Sequence, residues 1–229
     1  MPANEGPPAK TREGDVTPAS LRAQLLATEH WSLLATRSMV QSEILTRITT
    51  FLMLVSSSIV GLALIGQITK FDTRFQVLAL VLTAVLLIIG TMTQMRVGNA
   101  ALEDLGHVVG MNRLRAGYVA LDPGVERYLV TSAHDDSQGV WQTYNHLEEP
   151  SQLRNLLASG GTFITFITSG LAAAFGALLA ILVGLVPIAV GLIAAGFGLG
   201  FLLTAAFLGR RKYGRIKRSV LFPGTGGSD

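Results

Sequence analysis

The stretch TFITFITSGLAAAFGALLAILVGLVPIAVGLIAAGFGLGFLLTAAF, residues 162–207, contains no Asp, Glu, Lys, Arg or His across 46 positions. As one helix it would be about 69 Å long at 1.5 Å per residue, over twice the roughly 30 Å hydrocarbon core of a bilayer. It must therefore fold back. Gly184 and Pro187 stand near its middle, and a proline cannot continue a helix whose preceding turn expects its N–H. The reading is two membrane spans, Thr162–Val183 and Ile188–Leu208, with Gly160-Gly161 as a hinge before the first.

The same pattern occurs once more upstream. Phe51–Ile68 (FLMLVSSSIVGLALIGQI) and Phe75–Met95 (FQVLALVLTAVLLIIGTMTQM) are both free of charge, and only Thr69–Arg74 separates them. Six residues hold no domain, so the two form an antiparallel hairpin. The expected fold is all-α: an integral membrane protein of four spans in two hairpins. Composition agrees, with 49% hydrophobic and 14% charged residues in a chain of 229 and a mean hydropathy of +0.47. Soluble domains carry roughly 25% charge. With no cysteine, disulfide frameworks and thiolate chemistry are excluded.

Around the hairpins, residues 1–19 are polar and proline-rich. They lack an apolar h-region, so they read as a disordered tail and not a signal peptide. Ser20 is placed to cap a helix. Arg22, Glu29, Thr36, Glu43 and Thr50 then recur every seven residues, as do Leu26, Leu33 and Val40 on another stripe. This predicts an amphipathic helix running unbroken into the first span, the unit being residues 20–95. Trp31 on it suits a membrane interface or a helix contact.

Residues 96–159 read as a small helical module. Ala101, Leu105, Val108, Val109 and Leu114 continue the helical face of the second span. Asp122-Pro123 starts a new helix, with Val125, Tyr128 and Leu129 on one face. Ser132–Gly139 is a loop, Trp141, Tyr144 and Leu147 resume helical spacing, and Glu149-Pro150-Ser151 ends it before residues 152–158 lead into the second hairpin. Residues 160–208 form that hairpin, and 209–229 a basic tail.

Orientation follows from the cations. The two termini and the central module carry 16 Lys and Arg against two in the 69–74 turn. The positive-inside rule then places both termini and the module in the cytoplasm and the protein in the cell membrane. Fourteen arginines against four lysines, beside abundant Ala and Gly, suit a GC-rich bacterial genome. The tail cations Arg210, Arg211, Lys212, Arg215, Lys217 and Arg218 are expected to anchor topology and meet lipid headgroups, each worth about 1 kcal/mol near an anionic leaflet. Nucleic acid is not expected as a partner, although the pI is near 9.5.

Few residues suggest chemistry. His134-Asp135-Asp136 has metal-ligand residue types, but consecutive helical residues point about 100° apart and would need His30, His107 or His146 to complete a site. A polar loop or helix cap is the simpler reading. No phosphate-binding glycine loop or nucleophile elbow occurs in a fitting context, so neither catalysis nor a cofactor or metal is expected. Ala172, Gly176, Ala180 and Gly184 form a small-residue stripe at intervals of four, and Gly196 and Gly200 have G-x-x-x-G spacing. Both patterns let helix backbones approach closely in lipid, within a hairpin or between subunits. The spans hold no ionisable residue, which argues against proton relays, ion-coupled transport and voltage sensing. Ser56-Ser57-Ser58, Gln67, Thr83, Thr91, Thr93 and Gln94 remain as polar residues able to line a pore.

The stretch LLATEHWSLLATRSMVQSEILTRITTFLMLVSSSIVGLALIGQ, with its short turn and second span, is similar to small bacterial membrane proteins. In arrangement it resembles the SLATT group over residues 20–120. That resemblance implies an N-terminal helix running into the first of two spans, and a pore-forming effector in prokaryotic conflict systems. The second hairpin departs from a two-span plan, and no functional residue is carried over. The expectation is a non-catalytic, homo-oligomeric, channel-like assembly. The alternative is a membrane-anchored adaptor that binds a protein partner through residues 96–159.

Overall fold

The computed structural model describes residues 18–145, 159–214 and 220–224, with side chains described up to Arg211 and again from Val220. Of the described residues 87% are helical and none lies in a strand, and four helices are long and apolar enough to span a membrane. They are α1 (Ala19–Thr69), α2 (Thr73–Leu121), α4 (Gly160–Leu182) and α5 (Pro187–Gly214). A 3-10 helix (Pro123–Tyr128) and a short α3 (Ser137–Tyr144) lie between the hairpins. The tail at 1–17, the 146–158 segment with Leu147 and Glu149-Pro150-Ser151, and residues 215–219 lie outside the described residues.

The first two helices have 51 and 49 residues, about 75 Å each at 1.5 Å per residue. Only about 20 residues of each are needed to cross the hydrocarbon core. The remainder of both therefore projects on one side as a two-helix stalk. The boundary read at residue 96 is one of membrane depth, because α2 runs through it without a break.

Heptad packing holds this hairpin. Buried positions on α2 are Ala79, Thr83, Leu86, Gly90, Thr93, Val97 and Ala100, alternating steps of four and three. That 3.5-residue period keeps one seam facing a partner helix, as in left-handed coiled coils. On the stalk, Leu26 and Leu33 of α1 supply the knobs. A Cβ on Gly117 would stand 3.0 Å from Leu26 Cδ1, and one on Gly110 3.0 Å from Leu33 Cδ1. Leucines seven apart meet glycines seven apart in antiparallel register. Val108, Val109, Met111 and Val140 form the core beneath them.

At membrane depth a second core joins three helices: Ile48 and Phe51 of α1, Val97 of α2 and Ile164 of α4. Gly90 makes room there, since a Cβ would lie 2.8 Å from the Phe51 ring and 3.0 Å from Thr168 Oγ1. The helices pack in the order α1, α2, α4, α5. Among the described residues the fourth leans mainly on α4, and its most apolar window is only 6% buried.

Several local details differ from the sequence reading. Ser20 does not cap α1: the helix starts one residue earlier, after Pro18, with no side-chain cap. Gly160-Gly161 is not a hinge. Ser159 caps α4, accepting from the Thr162 N–H at 3.1 Å, and the two glycines form its first turn, under Ile48 and Val97. The loop read as 132–139 ends at Asp136, which caps α3. Asp122 and Pro123 do start a helix as expected, but it is a 3-10 helix. The α4–α5 turn lies where expected, with Gly184 at φ 78° and Pro187 opening α5.

Candidate functional site

Small residues at the α4–α5 contact divide into two groups. Ala172 and Ala180 are buried, and a Cβ on Gly176 would stand 2.8 Å from Phe197 Cγ. That side of the stripe faces α5. Gly184 serves the turn, and a Cβ on it would meet nothing within 4 Å. The G-x-x-x-G pair does not make the contact within the chain: Gly196 and Gly200 are exposed, with nothing within 4 Å of a Cβ. The glycine between them does. A Cβ on Gly198 would lie 3.1 Å from Ala173 Cβ, and Ser169 Oγ donates to Gly198 O at 2.7 Å. A buried interhelical bond of this kind is favoured where no water competes.

The polar residues of the spans divide the same way. On α2, Thr83 and Thr93 sit in the buried seam. Thr91 donates to Leu87 O, and Gln94 Nε2 donates to Thr165 Oγ1 at 2.9 Å, tying α2 to α4. Thr83 and Thr93 are closed off from any lumen, while Thr91 and Gln94 are half-buried. On α1 the polar groups point away from the bundle. Ser38, Ser42, Thr46, Thr49, Thr50, Ser56, Ser57 and Gln67 are all exposed. Ser38, Gln41, Ser42, Leu45, Thr46, Thr49, Thr50 and Met53 line a shallow open groove along this face. Thr46, Thr49 and Ser57 bond the carbonyl four residues back. Those bonds satisfy the donors and leave oxygen lone pairs facing outward.

Where the hairpin leaves the apolar zone, a belt of charge ties its helices together. Arg96 bridges Glu43 at 2.7 Å and Glu103 at 2.7 Å, and Arg47 also reaches Glu43. The two guanidinium groups hold the Glu43 carboxyl down to about 2. About two turns further out, Arg37 pairs with Asp104, whose other oxygen accepts from Tyr144 Oη at 2.6 Å. The heptad of Arg22, Glu29, Thr36, Glu43 and Thr50 thus contains one residue, Glu43, that pairs across the hairpin.

His134-Asp135-Asp136 is not arranged as a ligand set. Among the described residues no three His, Asp or Glu side chains group around a possible ion. His30 stacks on Tyr118, and burial, helped by Arg115, lowers its pKa. The carboxylates are instead occupied by hydrogen-bond donors. Asp135 is buried and accepts from Arg113 Nε at 2.7 Å. It also accepts the N–H groups of Leu221 (3.0 Å) and Phe222 (2.8 Å), from the C-terminal segment. Burial alone would raise its pKa, but these donors overcome that and hold it below the usual carboxylate range. Asp136 caps α3 through the Gly139 N–H at 2.6 Å and takes the Gly224 N–H at 2.8 Å. Both bonds lower its pKa.

Of the tail cations, Arg210 and Arg211 stand on the last turns of α5, with the Arg211 guanidinium 4.4 Å from the Phe207 ring centre. The side chains of Lys212, Arg215, Lys217 and Arg218 lie outside the described residues. The docking of residues 220–224 was not legible in the sequence. Its one trace is Phe222-Pro223-Gly224, a turn-forming triplet beyond the cations. No protein family matches the chain, nor does any curated protein or solved structure.

Proposed function

We propose that the protein is a non-catalytic component of the cell membrane that assembles from several copies into a channel-like pore, with α1 of each copy turned to the lumen. The observation that carries this reading is the set of exposed polar residues on α1 inward of the charge belt: Thr49, Thr50, Ser56, Ser57 and Gln67. Thr49 and Ser57 bond their donors within the helix, but an amide such as that of Gln67 loses hydration when it faces lipid, and burying a polar group without a partner costs roughly 1–3 kcal/mol on protein-based scales. No described residue of the chain covers this set. Around a water-filled axis shared between copies, the same groups stay hydrated.

Met53, Val60 and Leu64 interrupt the set and are also exposed. An apolar ring of this kind closes a pore by dewetting and needs no ionisable group. The resemblance of the first hairpin to the SLATT group supports the same reading. The division of cations, 16 against two, supports a stalk and termini on the cytoplasmic side. Arg210 and Arg211 then lie at the inner leaflet, where anionic headgroups are their natural partners.

The test is ion flux from liposomes containing single-cysteine variants. Thiol reagents should block flux through Thr49→Cys and Ser56→Cys and leave Leu199→Cys, on the outer side of α5, unaffected. Equal block at all three positions, or no flux from any variant, would remove the pore reading. One observation favours a second reading, an adaptor whose stalk holds a protein partner: Leu25, Trp31 and Met39 are exposed on the stalk at 60%, 72% and 72%. Recovery of a partner on the stalk without flux would support it.

A further inference from the structure

Among the described residues the fourth span packs mainly on one neighbour in the bundle, α4. Its chain nevertheless returns to the stalk. Residues 220–224 lie on the loop between the 3-10 helix and α3, and that loop is fixed to α2. Asn112 Nδ2 donates to His134 O at 2.7 Å, and Thr143 Oγ1 donates to Asn112 Oδ1 at 3.0 Å. Arg113, also on α2, holds Asp135. A route of hydrogen bonds thus runs from residues 221–224, which follow α5 in the chain, to the stalk without passing through α4.

We propose that Val220–Gly224 is a releasable latch, that the Asp135-Asp136 loop is its receptor, and that the latch restrains the cytoplasmic end of the fourth span. The inference stands apart from the pore reading and does not depend on it. Recognition is through the peptide backbone. Asp135 accepts the N–H groups of Leu221 and Phe222, and its own N–H donates to Phe222 O at 3.2 Å. Asp136 accepts the N–H of Gly224. Pro223 has no N–H, so no donor between them is left unpaired.

The last position favours glycine. A Cβ at Gly224 would come within 3.2 Å of Asp136 Oδ2 and 3.5 Å of His134 Cδ2. The receptor has the same requirement at Gly139, where a Cβ would collide with the His134 carbonyl.

The kind of grip is what makes the latch releasable. Leu221 and Phe222 are exposed at 59% and 40%, so little apolar area is removed from water. Segments with few buried apolar contacts open at a small fraction of the global stability. Charged acceptors make the bonds short and directional, so the bound position is defined even though it is shallow. When the segment leaves, the main contact left to α5 among the described residues is α4.

The test uses full-length protein in nanodiscs. Because the chain has no cysteine, spin labels can be placed at Val130→Cys on the receptor side and Leu208→Cys near the end of α5. Both sites are exposed. Pulsed electron paramagnetic resonance should give one narrow distance distribution with the latch intact. Asp135→Asn with Asp136→Asn keeps the shape but removes the charged acceptors, and should broaden that distribution and shift it outward. Gly224→Leu should do the same from the strap side. It lies beyond every helix, so it answers the question even if the double aspartate variant fails to fold. A distribution that stays narrow and unshifted in a folded variant of either kind would overturn the latch.

Discussion

Replacing Gly176 with leucine should destabilise the α4–α5 hairpin, whereas the same change at Gly196 should leave the folded subunit unaffected. At Gly176 the first added carbon would stand 2.8 Å from Phe197 Cγ and 2.9 Å from Cδ2, where ordinary contact begins at 3.4 Å. Phe197 Cβ lies within 3.1 Å as well, so with the ring's rotamer kept α4 and α5 must separate by about 0.6 Å before the rest of the leucine is placed. A gap of 0.5–1 Å forfeits a quarter to a half of each carbon–carbon attraction of about 0.1–0.2 kcal/mol. Over some ten to twenty pairs along the stripe, the loss is about 0.5–1.5 kcal/mol. The Ser169–Gly198 bond would stretch as well, and such bonds average about 0.6 kcal/mol in membranes. The sum falls within the roughly 1–3 kcal/mol seen for overpacked cores. Denaturation in detergent, followed by helical circular dichroism, should show a lowered midpoint for Gly176→Leu and none for Gly196→Leu. Light scattering on the same samples should show loss of assembled mass for Gly196→Leu if that exposed face joins copies. A Gly176→Leu protein that unfolds like the wild type would refute the packing argument.

Other consequences follow from the stalk and its latch. Gly117→Leu, against Leu26, should destabilise by about 1–3 kcal/mol. Gly106→Ala, with open space around its Cβ, should stabilise by about 0.5–1 kcal/mol through helix propensity; thermal melts of the two variants check both. The lowered pKa values of Asp135 and Asp136 mean the folded, latched state favours their ionised forms. Their contribution is full above the ordinary value of 3.8 and is lost as pH falls through the lower folded values. The Val130–Leu208 distance should accordingly broaden below pH 3.8 and not between pH 5 and 7. For topology, an impermeant thiol reagent applied to intact cells should label Asp72→Cys and not Ser137→Cys. The opposite pattern would invert the orientation.

The four spans were legible because lipid permits little else: charge-free runs of this length have to be helices, and Pro187 and Gly184 fix where one run folds back. The stalk was half legible. Leu26, Leu33 and Val40 displayed their heptad, but the partner glycines Gly110 and Gly117 carry no side chain to display one. The seam of α2 was hidden for a related reason. In a helix apolar on every side, Ala79, Leu86 and Val97 look no different from their lipid-facing neighbours, and only packing separates them. Gly196 and Gly200 had the right spacing, but spacing does not say which side of a helix meets its neighbour, and the contact fell on Gly198. The docking of residues 220–224 was out of reach because it is made by backbone N–H groups, which every residue except proline possesses. His134-Asp135-Asp136 read correctly as loop and cap, yet nothing in three polar residues tells of a bond 86 positions away.

The number of copies in one assembly tests the central claim most directly. In a single chain Thr83 and Thr93 of α2 are enclosed in the helix seam, while Thr49, Thr50, Ser56, Ser57 and Gln67 of α1 face outward with no described residue opposite them. Mass photometry of the full-length protein extracted into nanodiscs should give discrete assemblies of several 24.3 kDa chains, with Thr49→Leu and Ser56→Leu together shifting the population toward single chains. A wild-type protein that stays a single chain per nanodisc at every lipid-to-protein ratio would contradict the account.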